Sequence, residues 1–165
     1  MTKIIAGLLA AFLFIGCSAK TDENVKPRLV VGTTIADMTL SDQFDKPLVI
    51  SADTSKVIFA FSKDGAHICN DYFVTKSPTY LADNKTIFIA DVSSAPSLIR
   101  SMFIMPGLKD FKHPVYILDD KVVATGYRAD MDTEKIVVVD VENLIIKNIK
   151  TISSEKELVT EIESK

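Results

Sequence analysis

Cys69, His67 and His113 are the residues whose types could do chemistry in the main part of this sequence of 165 residues, which has two cysteines and two histidines in all. A cysteine near the start of a helix is a candidate nucleophile, because the helix dipole lowers the pKa of a thiol there. A thiolate with two imidazoles also suits zinc or copper. Three roles for Cys69 are therefore open: a one-thiol redox centre, a metal ligand with both histidines, or a small buried hydrophobe.

The elements that position these residues begin with a buried strand. Val57 to Phe61 is a short apolar, β-rich run, and the polar stretch Ser62-Lys63-Asp64-Gly65 breaks it. A helix is predicted from Ala66, with Asp64 or Gly65 near its N-cap. The Asp-Gly pair serves either as a turn or as a mobile loop that receives a peptide or an anion.

The rest of the chain alternates strands and helices before it changes to hairpins. Alternation of this kind favours a parallel sheet, and the hairpins add antiparallel edges. The other predicted elements are, in chain order, a hairpin over Met38 to Ile50, a strand over Thr86 to Val92, a helix over Ala95 to Phe103, a strand over Val115 to Leu118, a strand over Val122 to Tyr127, a hairpin of Ile136 to Val141 with Leu144 to Thr151, and a last helix that Ser154 and Glu157 cap.

Composition and charge exclude several classes of protein. With 47% apolar residues the chain can bury a core, and its length suits one domain. The net charge is −3 and no block of Lys and Arg occurs, so we expect no nucleic-acid partner. No Ser/His/Asp motif, phosphate loop or paired-carboxylate spacing stands out.

The N-terminus has the pattern of a signal peptide. Lys3 is the only charge before Cys17, and the apolar run Ile4 to Ile15 is shorter than the roughly 20 residues that cross a hydrocarbon core. The stretch Phe14-Ile15-Gly16-Cys17 resembles the lipobox of bacterial lipoproteins, with Phe14 where Leu is preferred. The resemblance implies lipid attachment to the Cys17 thiol, cleavage after Gly16 and acylation of the new amino group, with palmitate as an expected chain. The alternative is an ordinary secretory peptide with a free Cys17.

This interpretation divides the chain into three parts. Residues 1–16 are the signal peptide, residues 17–34 are the lipidated Cys17 and a flexible tether, and residues 35–165 are the folded domain. The expected location is the cell envelope, where the domain faces the periplasm and is held on a membrane by its lipid. Ser18 favours the outer membrane if the host is Gram-negative.

Three stretches of the chain resemble the thioredoxin fold, and within it the redoxin and thioredoxin-like lipoproteins of bacteria. Met38 to Pro47 resembles the N-terminal hairpin of redoxins, with Asp45 where Gly is common. Val57 to Cys69 resembles the central strand, the redox loop and the start of its helix, and His113-Pro114 resembles the start of the strand that begins with a cis-proline. The resemblance implies an α/β, three-layer thioredoxin-like sandwich with an N-terminal β-hairpin, an extra C-terminal β-hairpin and a terminal helix.

The chain departs from that family in the Cys-x-x-Cys motif. The corresponding tetrapeptide is Ala66-His67-Ile68-Cys69, which lacks the first, attacking cysteine. Because disulfide exchange needs two thiols within reach of each other, dithiol chemistry is not expected. The Pro-x-x-x-Thr-x-x-Cys motif of peroxiredoxins is also absent before Cys69, which disfavours a peroxidase.

In the thioredoxin fold the residue before the cis-proline lies against the redox loop. The resemblance therefore implies a binding corner made of Asp64, Gly65, Ala66, His67, His113 and Pro114. Such a corner favours extended peptides, so we expect a binding or accessory module that needs no cofactor and whose partner is another envelope protein. Two alternatives stay open: a thiol-dependent oxidoreductase acting through Cys69, and a copper or zinc protein using Cys69, His67 and His113.

Overall fold

The central strands of the sheet are runs of β-branched and aromatic residues. Such runs suit strands that are buried on both faces of a sheet. The computed structural model of the protein describes residues 25–163. Its strands are Ser41–Asp42 (β1), Lys56–Ala60 (β2), Thr86–Asp91 (β3), Tyr116–Leu118 (β4), Ile136–Glu142 (β5) and Ile145–Ile152 (β6). They lie in the order β1-β4-β3-β2-β5-β6. Strand β2 is therefore internal, and its residues Val57, Ile58 and Phe59 have no exposed surface.

Helices and the N-terminal segment cover the two faces of the sheet. The helices are Lys63–Phe73 (α1), Tyr80–Asp83 (α2), Ser97–Ile99 (α3), Met105–Leu108 (α4), Lys121–Arg128 (α5) and Glu155–Glu163 (α6), and the π-helical segment Arg100–Ile104 joins α3 to α4. A first hydrophobic cluster packs α1, α2, α4 and α6 against one face, around Phe73 and Phe88. A second cluster packs α5 and the N-terminal segment against the other, around Phe59 and Tyr127. The result is three layers.

The directions of the strands agree with the predicted order of elements. Strands β2, β3 and β4 are parallel, whereas β5 runs antiparallel to β2 and β6 antiparallel to β5. The C-terminal hairpin is thus confirmed. The cap of the last helix is confirmed as well, because the Ser154 hydroxyl accepts from the Glu157 amide (3.3 Å) while the Glu157 carboxylate accepts from the Ser153 amide (2.9 Å).

The strand predicted over Val122 to Tyr127 is wrong, since these residues belong to helix α5. Asp120 is the N-cap of that helix, and its Oδ1 accepts from the Val122 and Val123 amides (2.8 and 2.9 Å). The β-branched pair that indicated a strand is not buried as a pair, because the Val122 side chain is 84% exposed. A capping aspartate therefore outweighs the local β propensity.

The predicted place of His113 and Pro114, against the loop that leaves β2, is also wrong. Strand β4 pairs with β3 and β1, on the far side of β3 from β2. The strand that lies beside β2 on its other side is β5. Consequently His113 and Pro114 are not next to the loop that leaves β2.

The N-terminal hairpin predicted over residues 38–50 is formed only in part. Strand β1 has two residues, and a single bridge joins Ser41 to Pro47. Asp42 shapes the turn between them, because its Oδ1 accepts from the Phe44 and Lys46 amides (2.8 and 2.9 Å). The chain then reverses at Asp45, whose φ of 63° is the left-handed conformation that Gly adopts more readily.

The domain begins earlier than residue 35. The Arg28 amide donates to the Gly126 carbonyl (2.9 Å), Leu29 is buried in the second cluster, and Thr34 bridges to Ile145. Residues 28–34 are thus packed on the domain rather than part of a free tether. The predicted signal peptide and Cys17 lie outside the described residues. Within residues 25–163 no helix is long and apolar enough to span a bilayer.

Gln43 ties the N-terminal turn to the segment before β4. Its side chain has no exposed surface, its Nε2 donates to the His113 carbonyl (2.8 Å), and its Oε1 accepts from the Val115 amide (2.8 Å). The side-chain amide therefore brackets Pro114, which has no N–H of its own to pair.

Replacing Gln43 by Leu is expected to lower the free energy of unfolding by about 3 kcal/mol, because a buried N–H and a buried carbonyl lose their partners. Urea unfolding followed by circular dichroism measures the change. Phe44→Leu is the matched control at the next position, which is exposed, and should change the free energy by less than about 0.5 kcal/mol. Equal effects of the two variants would contradict the bracing role of Gln43.

Candidate functional site

Helix α1 begins one turn earlier than predicted. Ser62 is its N-cap: the Ser62 hydroxyl accepts from the Gly65 amide (3.1 Å), and Lys63 is the first helical residue. The predicted start at Ala66 is wrong because the serine, not Asp64 or Gly65, satisfies a free amide of the first turn. The helix start is where a helix dipole would activate a nucleophile, and no cysteine lies there.

Cys69 lies near the end of the second turn of α1 and belongs to the first hydrophobic cluster. Its side chain has no exposed surface, and burial raises the pKa of the Cys69 thiol well above its usual range. It is the one cysteine among residues 25–163, and it is not in a disulfide. Both access and ionisation therefore disfavour Cys69 as a nucleophile, and its environment suits a small buried hydrophobe.

His113 is buried beside the first hydrophobic cluster. It is 2% exposed, its Nε2–H donates to Oδ1 of Asn70 (2.9 Å), and its ring packs on Phe73, Phe88 and Phe111 at centroid distances of 5.5, 6.5 and 5.1 Å. Its hydrogen-bond partner is thus an amide and not a thiol. Burial lowers the pKa of His113 from its usual value of 6.5 to about 4, so the ring is neutral at pH 7.

The predicted metal site of Cys69, His67 and His113 is not formed. His67 is exposed while Cys69 is buried, because residues two apart on a helix point to different sides. Over the described range 25–163, no group of three or more His, Cys, Asp or Glu side chains could hold a metal ion. The helical periodicity of α1 thus puts His67 and Cys69 on different sides of the helix although they are close in sequence.

Glu134 occupies the place against the helix start that His113 and Pro114 were predicted to fill. It comes just before β5, and its carbonyl accepts from the Ser62 hydroxyl (3.4 Å). No cis peptide bond occurs in the part of the chain that the structure describes, so Pro114 is trans. Glu134 belongs to no motif from which its contact with Ser62 could have been predicted, since this contact depends on which strand pairs with β2.

Ser62 and Gly65 are neighbours across the first turn of α1, where the Gly65 amide donates to the Ser62 hydroxyl. A Cβ built on Gly65 would lie 3.3 Å from Ser62 Oγ and 3.4 Å from Ile136 Cγ1. Cysteines introduced at positions 62 and 65 would therefore have their side chains in contact at the first turn of α1. Ser and Gly stand at these two positions, so the first turn of α1 carries no thiol.

Solved structures share this arrangement of sheet and helices. The thioredoxin domain of a thiol-disulfide oxidoreductase from Bacteroides vulgatus matches 82% of this chain and 99% of its own, with a TM-score of 0.50 and 12% identity. The chain has the thioredoxin-like fold. The predicted fold class is thus confirmed, and at this identity the likeness shows the fold alone.

Two further structures are similar at lower scores. A peroxidoxin from Mycobacterium tuberculosis matches with a TM-score of 0.48 and 15% identity, over 80% of this chain and 93% of its own. A secreted disulfide oxidoreductase from the same organism matches with a TM-score of 0.45 and 12% identity, over 78% of this chain and 96% of its own. No family model and no curated protein matches the sequence.

The buried imidazole makes stability depend on pH. Since His113 protonates near pH 6.5 in the unfolded chain and near pH 4 in the folded one, the unfolded state binds more protons between these values. The free energy of unfolding should therefore fall as the pH falls through this window, by about 2 kcal/mol from pH 6.5 to 5. His113→Gln should remove this dependence and His67→Gln should keep it. A profile that is unchanged in His113→Gln would contradict the assignment.

Proposed function

We propose that this protein is a thioredoxin-like module of the cell envelope that binds a partner protein without dithiol chemistry and is held on a membrane by a lipid on Cys17. The observation that carries the proposal is the helix start of α1. Ser62 and Gly65 stand at its first turn, where no thiol is present, and the thiol of Cys69 has no exposed surface. A protein that keeps this fold without either thiol retains a binding surface but not the exchange reaction.

Two features of the chain support the location and the kind of partner. The Phe14-Ile15-Gly16-Cys17 stretch resembles a lipobox, and a lipid there would hold the domain at a membrane surface. Lys63 and Asp64 at the start of α1 are exposed, so the place used for chemistry in dithiol proteins is open here to a partner. The partner class that suits this place is another protein of the envelope.

Reduction of insulin disulfides by dithiothreitol tests the loss of dithiol chemistry. The purified protein should not raise the rate above that of dithiothreitol alone, and turnover dependent on the protein would overturn the proposal. The anchor is tested separately by growing cells with radioactive palmitate. The intact chain should take up label and Cys17→Ser should not. Equal labelling of both would rule out a lipid anchor on Cys17.

A further inference from the structure

An exposed apolar face follows strand β3. Leu98, Ile99, Met102 and Phe103 are 63, 42, 58 and 65% exposed, and together we call them the apolar stripe. They fall within six consecutive positions of α3 and the π-helical segment, so four exposed apolar side chains are concentrated on one short stretch of the surface. Scattered exposed apolar residues are normal, but a contiguous group marks a contact surface for a protein or a membrane.

The end of this segment and the helix α4 that follows it are packed into the domain. Leu108 is buried in the first hydrophobic cluster, and Ile104 and Met105 pack against it. The Arg100 guanidinium donates through Nη1 to the Asp119 carbonyl (2.7 Å), which ties the segment to the start of α5. The stripe is therefore presented to solvent by a braced helix.

The N-terminal part of the chain contacts the domain at helix α5. The Arg28 amide donates to the Gly126 carbonyl (2.9 Å), and the Arg28 guanidinium lies 5.3 Å from the centre of the Tyr127 ring. Helix α5 is thus contacted by Arg28 near its C-terminal end, and the residue before its N-cap, Asp119, is contacted by Arg100. Between them Val122 is 84% exposed and lines an open groove with Val25 and Pro27.

The length of chain before this entry limits how far the domain can lie from an anchor on Cys17. The eleven residue-to-residue steps from Cys17 to Arg28 span at most about 40 Å when fully extended. A lipid on Cys17 would therefore keep α5, and the apolar stripe joined to it, within about one domain diameter of the bilayer. A surface held at that distance meets the membrane far more often than it meets a dissolved partner.

We propose that the apolar stripe of Leu98, Ile99, Met102 and Phe103 inserts into the interface of the phospholipid bilayer that carries the Cys17 lipid. This inference rests on the proposed anchor. The four side chains bear no charge and belong to residue types that enter the boundary between headgroups and acyl chains. Since the lipid supplies the affinity, the stripe fixes the orientation of the domain on the membrane.

Tryptophan fluorescence tests the inference cleanly because the sequence has no tryptophan. Phe103→Trp puts a single indole in the stripe, and Val49→Trp is the matched control. Val49 is 76% exposed and lies beside Thr86, at the end of β3 away from the stripe. Both variants are prepared as the lipidated full chain in vesicles of phosphatidylethanolamine and phosphatidylglycerol that contain brominated phosphatidylcholine.

In Phe103→Trp the emission should shift to the blue and lose most of its intensity to the bromines, and in Val49→Trp it should do neither. Flotation of the vesicles reports the anchor independently. A chain that floats with an unquenched Phe103→Trp indole overturns the inference and leaves the anchor intact, whereas a chain that does not float removes both. A blue shift that appears without vesicles and grows with protein concentration would show that a second copy covers the stripe, and would also overturn the inference.

Discussion

Alkylation of Cys69 by iodoacetamide should be at least about 10³-fold slower in the folded protein than in urea, because the thiol has no exposed surface and the reagent must wait for unfolding that costs about 5 kcal/mol or more. The raised pKa of the Cys69 thiol acts in the same direction, since it removes the reactive thiolate. Mass spectrometry of the peptide that contains Cys69 measures the rate without interference from Cys17.

Ser62→Cys is the matched control for this measurement. A thiol at the N-cap of α1 is half-exposed and lies at the positive end of the helix dipole, so it should react rapidly in the folded state and with a lowered pKa. Cys69 reacting as fast as this control would reinstate the one-thiol oxidoreductase that the structure disfavours.

The double variant Ser62→Cys/Gly65→Cys should gain dithiol activity that the natural chain lacks. A Cβ at position 65 would lie 3.3 Å from Ser62 Oγ, so the two introduced sulfurs should come within reach of each other for a disulfide. The first thiol would lie at the helix N-cap, where thiolate is favoured. Insulin reduction measures the gain, and the loss of two free thiols on oxidation confirms the bond.

Ala66→Cys provides the sharpest control for that variant. It restores a literal Cys-x-x-Cys tetrapeptide with Cys69, yet it should remain inactive because its partner thiol is buried and Cβ atoms three apart within a helix are about 5 to 6 Å apart. Activity of Ala66→Cys without activity of the double variant would show that the motif lies where the sequence placed it and not where the structure does.

Local patterns account for what could be predicted. The apolar run at Val57 to Phe61 indicates a buried strand whatever its neighbours are, and the Ser154–Glu157 spacing predicts a cap that the structure contains. The same reasoning failed at Val122, where β-branched residues outnumbered the signal of one capping aspartate. It also placed the start of α1 at Ala66, because Ser62 was interpreted as part of a break and not as a cap.

The site depended on information that no local pattern contains. His113-Pro114 was a reasonable candidate for the corner as long as its strand could lie beside β2, and β5 takes that place in the sheet. Glu134 reaches Ser62 only because β5 pairs there, although the two residues are far apart in sequence. A dipeptide followed by a strand cannot reveal which edge of the sheet that strand will join.

By itself the sequence determined the alternation of strands and helices, the C-terminal hairpin and helix, and the absence of a Cys-x-x-Cys pair, because apolar periodicity, caps and residue identity are properties of neighbouring positions. The thioredoxin-like fold class came from the resemblance of three stretches to that family. The tertiary structure alone decided that Cys69 is buried, that His67 is exposed whereas His113 is buried, and that Ser62 caps α1 through the Gly65 amide. The physical reason is that burial and strand order follow from packing between distant segments, where the free energy belongs to the whole core and not to any one stretch of chain.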